Sequence, residues 1–167
     1  MEPPSGSECD PPSELSRLPV PTEEDWRSEE WNIDTPYAYD DFQGKTLHKA
    51  AELLQSCSVS YSADFDVMPP PCFQFYMHAY INYLVSGKSA GDSDAASCFL
   101  RIVEFRCEAI RGSSELLIAR VKQAIGRIRE GQAWYDAPRD LYGDFSERAE
   151  AALASLERKE KGSALDT

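Results

Sequence analysis

The chain has 167 residues, the length of one ordinary domain, and 42% of them are hydrophobic, which is enough to build a core. Its 17 Lys and Arg residues stand against 29 Asp and Glu residues, for a formal net charge of −12. Such a chain lacks the basic surface that phosphate backbones and anionic bilayers require, so we expect neither nucleic acid nor a membrane among its partners.

We expect neither a transmembrane helix nor a secretory signal in this sequence. No run of 18 apolar residues is present, and the opening letters MEPPSGSECDPPSE place acids and prolines where a secretory signal needs a basic and then an apolar stretch. We therefore expect a cytoplasmic protein. Its odd number of cysteines fits no disulfide framework and predicts free thiols: Cys9, Cys57, Cys72, Cys98 and Cys107.

Residues 1–42 form an acidic, proline-rich arm. Residues 1–41 contain twelve acidic and two basic residues, so nearly all of the net charge lies there, together with seven prolines. Proline removes backbone donors and the acids repel one another, which argues against an independent fold. We predict an arm over 1–42, partly docked on a helical domain over 43–167.

The second half of the arm is rich in aromatic residues. The stretch TEEDWRSEEW predicts one short helix with Thr22 as its N-cap. The rings have two interpretations: they dock the arm onto its own domain, which we favour, or they anchor a partner within a charged rim. The residues predicted to bind a partner are Glu23, Glu24, Asp25, Trp26, Glu29, Glu30, Trp31, Asp34, Asp40 and Asp41.

Helical periodicity begins after residue 43. Thr46 is the expected N-cap of a first helix that ends near Cys57, and a polar stretch, SVSYSADFDVM, follows it. Pro71 suits the first turn of the next helix, CFQFYMHAYINYLVS, which is apolar on most faces and belongs at the centre of a bundle. Gly87 is its expected stop.

Three further helices are predicted toward the C-terminus. They cover about 94–111, a segment from Ser113 or Ser114 to Gly131, and a last helix that Asp144 and Glu147 open as a capping box. The prediction is an all-α fold, a compact bundle of four to five helices with the acidic arm attached. Its predicted core is Phe73, Tyr76, Tyr80, Leu84, Phe99, Val103, Val121, Ile125 and Leu153.

The fourth predicted helix has a basic outer face, formed by Arg120, Lys122, Arg127 and Arg129. The simplest interpretation is intramolecular pairing with the acidic arm, at the high effective concentration that a tether provides. The alternative is autoinhibition, in which the arm covers a site that an acidic ligand would otherwise occupy.

The central helix begins with a recognisable pattern of proline and aromatic residues. Pro70 or Pro71, Phe73, Tyr76 and Tyr80 form a Pro-x-x-Phe-x-x-Tyr start that leads into an aromatic helix. This run resembles a family of small uncharacterised bacterial helical proteins, in which Leu-Pro usually stands where this chain has Met77-His78. The resemblance implies a helical fold and supplies no activity.

Catalytic and metal motifs are missing from the sequence. There is no P-loop, G-x-G-x-x-G, C-x-x-C, H-E-x-x-H or EF-hand loop, so we expect no cofactor and no metal. A site built from His48, Cys57, Cys72 and His78 would match no common zinc spacing.

Two functions remain open. The first is a non-catalytic binding or inhibitor protein, such as a bacterial immunity protein that neutralises a basic, nuclease-like toxin by offering carboxylates in place of phosphates. The alternative is an enzyme with a scattered site around Tyr76, His78 and Tyr80, with Tyr83 and either Asp64 or Asp66 nearby. If His78 and Tyr80 converge on a deep pocket with an acid, the enzyme gains support.

Overall fold

A computed structural model describes residues 11–27 and 31–158, which contain helices and no strand. In the arm, a 3-10 turn at Ser13–Arg17 precedes α1 (Glu23–Trp26) and α2 (Thr35–Phe42). The remaining helices are α3 (Leu47–Ser56), α4 (Ser58–Asp64), α5 (Pro70–Val85), α6 (Ser93–Phe105), α7 (Cys107–Arg111), α8 (Glu115–Glu130), α9 (Arg139–Tyr142) and α10 (Phe145–Glu157). Within this part of the chain, none is long and apolar enough to cross a bilayer.

The all-α prediction is confirmed, and the number of helices was underestimated. Three predicted caps are present: Thr46 accepts from the Lys49 amide, Ser114 from the Leu117 amide, and Asp144 from two amides of its own first turn. The stretch after Cys57 was described only as polar, and its first part forms the helix α4. The single helix predicted over 94–111 is divided into two helices, because the regular helical structure is interrupted between α6 and α7.

The core is organised around α5. This helix packs against α3 on one side and α8 on another, while α10 packs on α8 and α6. The predicted core residues are buried, apart from Leu153, which is half-buried. Cys57, Cys72, Cys98 and Cys107 are free thiols, as expected, and Cys9 lies outside the described residues.

The arm shares this core. The Trp26 side chain is fully buried, with its ring centroid 5.7 Å from that of Tyr39 and 6.2 Å from that of Tyr76. Phe42 is also fully buried, and the Tyr76 hydroxyl donates to its carbonyl oxygen at 2.6 Å. The arm is therefore held by aromatic packing and by a hydrogen bond from the central helix.

Candidate functional site

The tyrosine and histidine side chains of α5 do not converge on one site. The Tyr76 hydroxyl reaches the end of α2, the Tyr80 hydroxyl donates to the Ala95 carbonyl at 2.8 Å, and His78 contacts Arg120 on α8. Burial raises the pKa of Tyr80 well above its usual value, so its hydroxyl stays protonated. These groups link helices, which is the role of a buried phenol that needs a partner.

The two acids named beside α5 also have other contacts. Asp66 pairs with Arg101 at 2.9 Å. Asp64 is buried beside Asp41 of α2, and one of its carboxyl oxygens has no hydrogen-bond partner among the residues that the structure describes. Burial, together with the hydrogen bond and the charge of Asp41, raises the pKa of Asp64 to about 7. Asp64 is therefore paired with an acid of the arm.

A buried polar cluster joins α5 to α8. The Arg120 guanidinium lies 2.8 Å from Nδ1 of His78 and donates to Oδ1 of Asn82 at 2.6 Å. Arg120 is only 7% exposed and His78 only 3%. Burial and then the Arg120 charge lower the pKa of His78 to about 4, so the imidazole is neutral and its Nδ1 accepts. Among the described residues, no carboxylate lies within 4 Å of Arg120.

Arg120 corrects the predicted basic outer face of α8. It lies within the buried stripe, three residues after Leu117 and four before Ala124, so its position in the helical period had indicated burial. Its charge had suggested the opposite. Arg129 approaches Glu150 of α10 at 3.7 Å, and the Arg127 guanidinium lies 5.5 Å from the centre of the Trp134 ring. These contacts of Arg129 and Arg127 are made with the helical domain.

The first predicted binding residues of the arm have local roles. Glu23 pairs with Arg27 at 2.5 Å, and Asp25 forms a capping box with Thr22. Glu24 is exposed. Trp26 is removed from the set that a partner could contact, because its whole side chain is packed inside the fold.

The end of the arm presents an exposed set of side chains that we call the arm surface: Trp31, Ile33, Asp34, Tyr37 and Asp40. Trp31 is 42% exposed, Ile33 87% and Tyr37 68%, which is unusual for side chains of this size. Asp34, Tyr37 and Asp40 recur every three residues, so they share one side of α2. The Trp31 ring meets Tyr39 at a centroid distance of 6.0 Å, which orients it.

The other predicted acids lie elsewhere. Asp41 is half-buried and lies beside Asp64, so it is turned away from the arm surface. Glu29 and Glu30 lie outside the described residues. Ile33 and Tyr37 were not predicted to bind a partner, because that set followed the acidic residues and the two tryptophans of the arm.

A small cavity of about 350 Å³ adjoins the arm. Asn32 of the arm lines it together with Val67, Phe105 and Glu108. Phe105, at the end of α6, is 66% exposed, although an aromatic ring usually prefers burial. Sequence analysis missed Phe105; its place outside the stripe formed by Phe99, Ile102 and Val103 could have identified it.

Comparison of the chain with family models, with curated proteins and with solved structures found no match. The resemblance of the central helix to small bacterial proteins therefore stays a prediction. In the part of the chain that the structure describes, no group of three or more His, Cys, Asp or Glu side chains could hold a metal ion.

Proposed function

We propose that this chain is a non-catalytic binding protein that holds a basic partner protein on its arm surface. The observation that carries the proposal is the exposure of Trp31, Ile33 and Tyr37 within seven residues of chain. Covering such side chains removes apolar area from water, at about 25 cal/mol for each Å². Aromatic side chains of this kind are frequent among the residues that dominate binding energy.

The arm surface is held in place before any partner arrives. Trp26 and Phe42, on either side of it along the chain, are both fully buried. A backbone that is already fixed at both ends loses less conformational entropy on binding, so more of the contact energy contributes to affinity. This supports a docking surface on a fixed support.

The charge around these rings favours a basic partner. Asp34 and Asp40 lie on the arm surface, and the exposed Glu104 and Glu108 flank Phe105. Carboxylates at a rim raise the rate of encounter with a cationic surface and add less to the lifetime of the complex. In its finer form, the proposal is an immunity protein whose carboxylates cover the phosphate-binding surface of a nuclease-like toxin.

Site-specific cross-linking in the native cells tests the proposal. A photoreactive residue replaces Tyr37 in the full chain, and a matched one replaces Gln123, which is exposed on α8. We expect one basic protein to be captured from position 37 and not from position 123. Equal capture at both positions would contradict the proposed surface.

The captured protein is then purified for binding measurements. Ile33→Ala and Tyr37→Ala should each weaken binding about tenfold or more, while Leu141→Ala, at another exposed aliphatic position, should not. The immunity function further requires the partner to degrade nucleic acid and to stop when the chain is added in equal amount. A bound partner without such activity would keep the binding proposal and reject immunity.

A further inference from the structure

A groove of about 600 Å³ lies between residues 11–20, α3 and α5. Leu18 and Val20 of the arm, Leu47 of α3 and Phe75 of α5 give it apolar walls. Along α5 the lining changes from Phe75 to the polar Asn82 and Ser86, followed by Lys88. A groove of this volume, apolar with a few polar groups, has the character of a small-molecule site.

Asn82 connects this groove to the buried cluster between α5 and α8. A guanidinium has donors and no acceptor, so Asn82 must turn its Oδ1 toward Arg120. The amide nitrogen then points away from Arg120, with two N–H donors. Among the described residues this nitrogen has no hydrogen-bond partner, and Asn82 itself lines the groove. The bond from Arg120 thus makes Asn82 a donor toward a ligand.

The charges around Asn82 favour an anion. Among the residues that the structure describes, Arg120 has hydrogen bonds behind Asn82 to neutral partners alone, His78 and Asn82, and a buried cation without a counter-charge is costly. Lys88 lines the same groove, and Glu52 and His48 lie at 3.3 Å from each other on its α3 side. Although the chain has a net charge of −12, the Arg120 guanidinium places positive charge behind the ligand position in this groove.

We propose that the groove binds a small amphipathic carboxylate. Its apolar body lies against Leu18, Leu47 and Phe75, and its carboxylate accepts hydrogen bonds from the Asn82 amide. Arg120 acts as a positioning residue that fixes the Asn82 amide and supplies positive charge behind it. This site is separate from the arm surface, so either proposal can fail without the other.

Calorimetric titration of the full chain tests this, with dodecanoate as the probe below its micelle concentration. Dodecanol has the same chain without charge, and butyrate has the charge with little chain. We expect saturable binding of dodecanoate at least about tenfold tighter than that of either control, since a charge-assisted hydrogen bond is worth that much or more. Equal affinity for dodecanol, or no binding of dodecanoate, would overturn the proposal.

Asn82→Asp separates recognition from folding. The new carboxylate would pair with Arg120, so the fold should keep its stability, while the donor and the excess positive charge are both lost. Dodecanoate binding should then fall at least about tenfold, with thermal stability equal to or above that of the unchanged chain. Unchanged dodecanoate affinity in Asn82→Asp would overturn the assignment.

Filling the groove locates the binding. Ala51→Trp places a large ring in the groove from α3, and Ala119→Trp places the same ring on the exposed side of α8 as a control. Only the first should abolish binding; equal effects of the two would overturn the proposal. If the full chain binds only after residues 1–10 are removed, the groove belongs to the chain's own N-terminal segment, and the proposal also fails.

Discussion

Replacing Asp64 with Asn should change how the stability of the protein depends on pH. Asp64 is buried beside Asp41, and within the described part of the chain one of its carboxyl oxygens has no hydrogen-bond partner. Its pKa is about 7 in the folded chain, compared with 3.8 for the ordinary side chain. An amide at this position is neutral at every pH and can donate an N–H to the Asp41 carboxylate.

The sign and the size of this change in the pH dependence of stability follow from proton linkage. Between pH 3.8 and about 7 the folded chain binds more protons at Asp64 than the unfolded chain does, so this group lowers the unfolding free energy as the pH rises. The loss over the whole window is about 4 kcal/mol, because one pKa unit corresponds to about 1.36 kcal/mol. Asp64→Asn removes this loss.

Urea unfolding of both proteins, at intervals from pH 4 to pH 8, measures the effect. Ionisations outside the Asp41–Asp64 pair are shared, so the difference in unfolding free energy between Asp64→Asn and the unchanged chain should move by about 4 kcal/mol in favour of the variant as the pH rises. Asp140→Asn, at an exposed aspartate, serves as the matched control. A constant difference across the pH range would refute the buried carboxyl pair.

Three further outcomes are expected. In the Asp64→Asn background, unfolding free energy should fall by about 3 kcal/mol as the pH drops from 6.5 to 4, because the unfolded chain binds a proton at His78 that the folded chain excludes; urea titration checks this. Trp26→Ala should cost about 3–5 kcal/mol in urea unfolding, since the ring is fully buried, and a cost below about 1 kcal/mol would contradict its docking. Trp31→Ala should leave the thermal midpoint nearly unchanged. In surface-binding kinetics with the purified partner that cross-linking identifies, it should accelerate dissociation, whereas an unchanged dissociation rate would exclude Trp31 from the contact.

The main helices could be predicted because their signals are local. Thr46, Ser114 and Asp144 each satisfy backbone amides in the first turn of a helix, and such a contact needs only the next few residues. The helix α4 was missed because its buried face contains serines. Ser58 donates to Asp92 at 2.8 Å and Ser62 to the Val59 carbonyl at 3.0 Å, so hydroxyl partners replace the apolar stripe that pattern reading requires.

The candidate site was predicted only in part, because charge and burial compete at single positions. Trp26 and Trp31 look alike in sequence, five residues apart in one acidic stretch, yet one is inside the core and the other is 42% exposed. Both rings approach Tyr39, and the Trp26 ring also packs against Tyr76 of the central helix, about fifty residues further along the chain. Arg120 was placed on the outside for the same reason: its partners, His78 and Asn82, lie about forty residues away in the chain.

The hydrogen bonds of the Tyr76 hydroxyl bear on whether the arm stays docked on the helical domain or is released from it. It donates to the carbonyl of Phe42 and lies 3.0 Å from that of Lys45, so one side chain of the central helix ties down the end of α2. Lifting the arm would break the hydrogen bond to the Phe42 carbonyl and expose Trp26 and Phe42, which makes release a partial unfolding event. A partner should therefore meet a surface that is permanently presented, and its association should follow a single concentration-dependent phase without a preceding conformational step.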